Sequence, residues 1–275
     1  MSKTRVEISK LIFERLKENM EHLSSQYDTS KFDIGYFFID DLLPAELAKQ
    51  CFEVFPKASQ MKCLKSLREY KYVSAQMDKH HELLENILYA FQDEKIIKLI
   101  GEICNIDSLY ADETLYAGGL SLMKKKNFLH PHLDNSHDAE RERWRVLNLL
   151  YYVTPEWSTK NGGHLELWPN GPKKEPIIIE SKFNRLVVMA THSSSWHSVN
   201  EVLIENNRCC ISNYYFSDLP LKETDKFHIT KFRGRPEDRF TNFILDFDSS
   251  LRMLIRKVFK KGIRKNPHGY TKKNL

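Results

Sequence analysis

Apolar residues return along this chain in two rhythms, and the change between them divides it. Over residues 6 to 24, Ile8, Leu11, Ile12, Leu16, Met20 and Leu23 recur every three or four positions among Lys and Glu. That is the stripe of an amphipathic helix, which needs a partner surface, expected to be the outside of a sheet. Residues 34 to 39 are short, apolar and aromatic, as in a strand. Pro44 then opens a helix that continues to about Phe55, where Pro56 stops it. Residues 57 to 79 are mixed and basic and support no assignment. Beyond them Leu83, Leu84, Ile87, Leu88 and Phe91 make one helix, and Ile96, Ile97, Leu99 and Ile100 a second, shorter one.

From Thr114 the period falls to two. Alternating or wholly apolar runs, broken by Gly, Asn, Pro and Ser, predict strands over residues 115–124, 128–134, 145–153, 164–168, 177–180, 185–189, 196–202 and 209–216. Eight strands with few helices between them predict a mostly β, α+β fold with a double-stranded β-helix (jelly roll) core, two facing sheets with a site between them. A helical rhythm returns with Leu251, Leu254, Ile255, Val258 and Phe259, with Gly262 placed to stop it, before a tail with Pro267 and Gly269. The expected organisation is one domain over 1–275. Its helical lead-in covers 1–113, its jelly-roll core 114–218, and its C-terminal helix and basic tail 219–275.

Composition changes this picture little. Apolar residues are 41% and charged residues 29% of 275, which excludes global disorder. The net charge of +5 is concentrated at the end, where nine Lys or Arg and no acid follow Leu251. The remainder is slightly acidic, so nucleic acid is not an expected partner. The five cysteines match neither a disulfide framework nor a zinc motif, and no window reaches the length of a membrane span. A cytoplasmic protein is expected.

The candidate chemistry lies between His132 and Arg208. Residues two apart on a strand share a face, so His132 and Asp134 aim an imidazole and a carboxylate at one point. If His197 arrives from a neighbouring strand, two histidines and a carboxylate hold one side of a metal and leave positions open for substrate and oxygen. A His-x-Asp pair is common by chance, and His130 and His192 compete as ligands.

The segments around these residues narrow the reading. The run Leu149-Leu150-Tyr151-Tyr152-Val153 leads through Trp157 to Gly162-Gly163-His164-Leu165-Glu166-Leu167-Trp168-Pro169. Phe183-Asn184-Arg185-Leu186-Val187-Val188, Trp196-His197-Ser198-Val199 and Arg208-Cys209-Cys210-Ile211-Ser212-Asn213-Tyr214-Tyr215-Phe216 follow. Together they resemble the iron(II)- and 2-oxoglutarate-dependent oxygenases, in their prolyl-4-hydroxylase-like branch, over roughly residues 114 to 218. The resemblance implies Fe(II) on His132, Asp134 and His197, with 2-oxoglutarate and O2 as cosubstrates. It implies that Arg208 grips the far carboxylate of 2-oxoglutarate, a task suited to a guanidinium that stays charged when buried. Tyr152 would add a hydrogen bond, although packing alone accounts for it equally, and Leu165 and Asn148 would line the pocket. Leu122 stands where related hydroxylases carry a tyrosine. The reaction implied is decarboxylation of 2-oxoglutarate to succinate and carbon dioxide coupled to hydroxylation of an unactivated C–H bond. The presence of Asp134 favours hydroxylation over halogenation.

Substrate is open at this level. The loop after the ligand pair carries His137 and Arg143, with Arg145 at the next strand, which suits a polar or anionic substrate as well as it suits a solvated loop. A small polar metabolite or glycan precursor is the preferred expectation, with prolyl or other residue hydroxylation of a protein or peptide as the alternative. A zinc hydrolase, or a non-catalytic cupin-like binding module, is the alternative of another class.

Overall fold

In the computed structural model, thirteen strands among the described residues form one hydrogen-bonded antiparallel sheet that curls back on itself. The structure describes residues 3–236, 241, 242, 244, 245, 248, 251–253 and 270. In chain order the strands are β1 (Tyr36–Ile39), β2 (Lys62–Lys65), β3 (Glu69–Ser74), β4 (Tyr110–Ala111), β5 (Gly119–Met123), β6 (Phe128–Leu133) and β7 (Trp144–Tyr152). Then come β8 (Leu165–Leu167), β9 (Ile177–Ile179), β10 (Arg185–Ala190), β11 (His197–Val199), β12 (Arg208–Ser217) and β13 (Lys231–Phe232). Their ladder order is β1-β10-β7-β12-β5-β3-β6-β11-β8-β9, with β2 on β3, β4 on β12 and β13 on β6.

Alternation on the central strands supplies two cores. Tyr152, Val187, Met189 and Cys210 of β7, β10 and β12 meet Leu165, Leu167 and Ile179 of β8 and β9, which closes the double-stranded β-helix around its interior. The opposite face, with Leu147, Leu149, Tyr151, Leu186, Val188 and Ile211, packs in one cluster with the helices. Each such side chain contributes roughly 1.5–3 kcal/mol by leaving water. The helices are α1 (Arg5–Glu18), α2 (Met20–Ser30), α3 (Ala45–Glu53), α4 (Glu82–Ala90) and α5 (Glu94–Cys104). The predicted first helix is two: Asn19 donates its side-chain amide to the Arg15 carbonyl and its N–H to Leu16, closing α1. Contrary to expectation α1 finds its partners in α4 and α5, and α2 lies along β1. Gln26 of α2 both donates to the Phe38 carbonyl and accepts from the Phe38 N–H, so a side chain satisfies the outer edge of β1.

The structure also fills the segment that resisted assignment. Residues 62–74 form the β2–β3 hairpin, and β3 bridges a corner of the barrel, pairing β5 through Tyr72–Ser74 and β6 through Glu69–Tyr70. The strand predicted over 115–124 begins only at Gly119. Before it the Asp112 carboxylate accepts from the N–H groups of Tyr116, Ala117 and Gly118, and Leu115 has φ +49°. After β12 the chain returns as β13 on β6, a pairing absent from the predicted organisation. Of the predicted C-terminal helix, Leu251 is described as helical, while Leu254, Ile255, Val258, Phe259 and Gly262, like most of the basic tail, lie outside the described residues. No described helix is long and apolar enough to cross a membrane.

Candidate metal centre and cosubstrate pocket

The sheet registry builds the metal site. His132 near the end of β6 pairs directly with His197 at the start of β11, and Asp134 follows β6 by one residue. One ligand atom from each lies within 4.8 Å of the others, the only such cluster found among the described residues. His132 Nε2 is 3.6 Å from Asp134 Oδ1, and His197 Nε2 is 3.7 Å from Asp134 Oδ2. Both rings are held by the same device. Nδ1 of His132 is 3.0 Å from the His130 carbonyl, and Nδ1 of His197 is 3.0 Å from the Ser195 carbonyl. A carbonyl can only accept, so each Nδ1 carries the proton and each Nε2 presents a lone pair to the common point. Phe232 of β13 stacks on His132 at 5.1 Å.

Charge agrees with this geometry. Burial pushes the Asp134 carboxyl upward, but His132, His197 and Arg145 outweigh it and hold it well below the usual range. Burial, with His132 beside it, pushes His197 down to about 4, so its imidazole is neutral and able to ligate at neutral pH. Asp134 Oδ2 is buried with no hydrogen-bond partner. An ionised oxygen left bare in a protein interior is costly unless a cation meets it. The donor set and the bare oxygen therefore fit a divalent metal held on one face.

A cavity of about 130 Å³ leads inward from the triad and is lined by Asn148, Leu165, Arg208 and Cys210 as well as by the three ligands. Arg208, the first residue of β12, is buried, and no carboxylate lies within ion-pair distance of it among the described residues. Its Nε donates to Ser181 Oγ at 3.1 Å, and its guanidinium lies over the Tyr152 ring at 4.7 Å. Ser181 Oγ in turn donates to the Gly163 carbonyl at 2.7 Å. A Cβ on Gly163, whose φ is +68°, would meet Val202 at 2.9 Å and Arg208 Cδ at 3.3 Å, so the Gly162-Gly163 turn leaves the space that the arginine fills. The Tyr152 hydroxyl and Asn148 Oδ1 are both buried without partners. Burial pushes the tyrosine up to about 12, so it stays a neutral donor. A buried cation with donors and no anion fits a bound carboxylate.

Outward, the triad opens on a cleft of about 700 Å³. Arg145 and His137 line it. Arg145 lies 3.9 Å from Asp134 and over the Tyr214 ring, while His137 packs on Trp144. Arg143, expected at the substrate, turns away instead, because the Tyr110 ring at 3.5 Å and Asp218 draw its guanidinium to another face. His130 packs on Phe128, and His192 Nε2 is 3.1 Å from the Ile34 carbonyl, so neither competitor joins the triad. Leu122 belongs to the main core on the far face of β5, while Ser121 and Met123 line the inner cavity. Sequence reading missed Ser181, Met123 and Lys71, the last because its whole segment had no clear period. Only the paired glycines signalled the turn that makes room for Arg208.

A curled antiparallel sheet with a buried two-histidine, one-carboxylate face and a buried arginine defines a mononuclear non-haem oxygenase domain. Residues 118–216, about a third of the chain, match the family model for the 2OG-Fe(II) oxygenase superfamily, to which this segment is similar. Prolyl 3-hydroxylase OGFOD1 of Xenopus laevis is 38% identical over 80 residues, which is 28% of this chain and 15% of that protein. The match thus spans a small part of the relative's length. Among solved structures, a Phytophthora capsici prolyl 4-hydroxylase is similar at a TM-score of 0.55 and 16% identity, covering 91% of this chain and 80% of that one. A Pseudomonas putida prolyl-4-hydroxylase is similar at 0.52 and 16%, covering 70% and 98%. These likenesses establish the fold. The cofactor of the superfamily is Fe(II), and its cosubstrates are 2-oxoglutarate and O2.

Proposed function

We propose that this protein hydroxylates a residue, prolyl by preference, of a protein or peptide, using Fe(II), 2-oxoglutarate and O2. The observation that carries the reaction class is the pairing of a buried metal-ligand face with a buried arginine that has no carboxylate of its own, both on one inner cavity. Overall, 2-oxoglutarate, O2 and R–H give succinate, carbon dioxide and R–OH, one oxygen atom entering each organic product. His132, Asp134 and His197 would hold the iron, which when bound supplies the oxidising power for an unactivated C–H bond. Arg208 and Tyr152 would orient the cosubstrate from its far carboxylate, and the apolar walls Leu165 and Val199 would exclude water.

Substrate class rests on the outer cleft. A small metabolite, the first expectation from sequence, would be enclosed, whereas this cleft is wide, open and several times larger than the inner cavity. An extended peptide can lie along it with one side chain toward the triad. A relative matched in sequence is a prolyl 3-hydroxylase, which supports the same reading. A zinc hydrolase would leave the arginine and the bare tyrosine hydroxyl without a task.

The test is mass spectrometry of proline-containing peptides incubated with the protein, Fe(II) and 2-oxoglutarate under air. Gain of one oxygen on a peptide with stoichiometric succinate is expected. Gain of oxygen only on metabolites would overturn the peptide reading, and tight zinc with no 2-oxoglutarate binding would overturn the reaction class.

A further inference from the structure

Resting on the reading of the triad as a metal centre, we infer that Arg235 is a positioning residue for the metal ligands, acting through the buried Glu166–Ser198 pair behind His197. On the site side of this wall, Leu165, His197 and Val199 line the inner cavity. Glu166 and Ser198 are register partners on β8 and β11 and alternate with those residues, so they face the other side of the sheet. Both are buried, Ser198 completely. Ser198 Oγ donates to Glu166 Oε2 at 2.6 Å and accepts from Trp168 Nε1 at 2.7 Å. An indole can only donate and a carboxylate can only accept, so the Ser198 hydroxyl has one orientation. Arg235 closes the network, with Nη2 2.6 Å from Oε2 and Nη1 3.2 Å from Oε1 of Glu166. A planar guanidinium that meets a carboxylate through two bonds fixes direction as well as distance.

Arg235 arrives from a segment that has just crossed the other histidine. Phe232 pairs in register with His132 and stacks on its ring at an interplanar angle of 16°. The Arg233 N–H donates to the Pro131 carbonyl at 2.8 Å, which carries the pairing with β6 one residue past β13. Upstream, Phe227, His228, Ile229 and Thr230 line the outer cleft. There Ser136, two residues after Asp134, donates its N–H to the His228 carbonyl at 3.0 Å, and the His228 N–H donates to Ser136 Oγ at 2.9 Å. Residues 227–235 therefore form one strap, tied beside Asp134 at its start, laid on His132 in its middle and fastened behind His197 at its end. Ligands must be held within about 0.5 Å of the productive arrangement, and the groups behind them that do so typically cost ten- to a hundredfold in metal affinity when removed. Arg235 is the fastening of this strap.

The experiment reads Co(II) affinity and visible spectrum of the full chain beside urea unfolding of the metal-free protein. Arg235→Met leaves the Glu166 carboxylate buried without its cation. It is expected to lower stability, to weaken Co(II) binding about ten- to a hundredfold and to shift the spectrum. Adding Glu166→Gln removes the uncompensated charge and leaves an amide oxygen for Ser198, so the double variant should regain stability. Its affinity and spectrum should stay altered, because the fork to β8 is gone. Should Arg235→Met fail to fold, the double variant carries the test. Arg235→Lys should recover affinity in part, as a point charge in place of a fork. Asp40→Asn breaks an ion pair with Arg185 at the β1 end of the ladder, and is expected to lower stability while leaving affinity and spectrum as in the parent. Affinity and spectrum that return together with stability in the double variant, or that do not change in Arg235→Met, would overturn the inference and leave the ion pair a structural one. A parent protein that takes up no Co(II) in a defined geometry would sink the metal-centre reading and this inference together. A parent that does so, with variants that match it, would sink this inference alone.

Discussion

At the scale of single residues, the site is defined by buried polar groups that lack a carboxylate or hydrogen-bond partner among the described residues. Arg208 is the clearest case. Arg208→Ala removes a buried cation that a ligand carboxylate would pair, a truncation that typically costs about 2–5 kcal/mol, so 2-oxoglutarate affinity is expected to fall by roughly thirty- to several-thousandfold. Isothermal titration of Mn(II)-loaded protein under nitrogen would measure it. Arg208→Lys should recover part of the loss, and Tyr152→Phe should cost only a few-fold because it removes one neutral donor. Loss of affinity in Tyr152→Phe as large as in Arg208→Ala would contradict the assigned division of labour. Gly163→Ala tests the same pocket through the backbone. With φ at +68° and Val202 2.9 Å from the new methyl, it is expected to destabilise the fold by about 1–3 kcal/mol in urea and to weaken 2-oxoglutarate binding by displacing Arg208. The candidate metal ligands stand out in the sequence because each lies in a short motif, His132-x-Asp134 and Trp196-His197. Ser181, which positions Arg208, was not, because a lone serine after Glu180 carries no pattern.

Elements were readable where burial was complete and unreadable where it was partial. β7, β10 and β12 are buried almost throughout and spell themselves as apolar runs. In β2 the positions are mostly exposed and in β3 all are intermediate, so neither strand alternates, and a hairpin that lines the site went unassigned. The break at Asn19 was hidden for the opposite reason, since the apolar stripe continues across it onto α2. Between elements, His192 ties the loop before β11 to the residue preceding Gly35. Its Nε2 donates to the Ile34 carbonyl and its Nδ1 accepts from the Ser194 N–H. Burial, with Lys222 nearby, pushes it down to about 4. Above about pH 6.5 neither the folded nor the unfolded chain protonates this ring, so its contribution is intact there. As pH falls from 6.5 toward 4 the unfolded chain takes up a proton that the fold refuses, and stability is lost at up to about 1.4 kcal/mol per pH unit. His192→Gln should flatten that part of the stability–pH curve in denaturant titrations. A slope equal to that of the parent protein would show that other groups carry the acid sensitivity.

For the whole molecule, local rhythm revealed the layers of the barrel but not how its corner is closed. Pairing of β3 with both β5 and β6, and of β13 with β6, joins positions separated by some fifty to one hundred residues, and nothing in a short window encodes such meetings.

The corner strand has one more consequence. The segment matched by the family model contains all three candidate metal ligands and Arg208, yet it ends before β13 and begins after the β2–β3 hairpin. Cut out and expressed alone, residues 118–216 would expose bare ladder edges on β5 and β6 and the apolar underside of β7, β10 and β12, and are expected to aggregate instead of taking up Co(II) with a defined visible spectrum. Adding residues 3–117 and 217–253 in trans should rescue colour if the ligands need only a frame. The recognisable signature, in other words, is smaller than the smallest piece of polypeptide able to do its work.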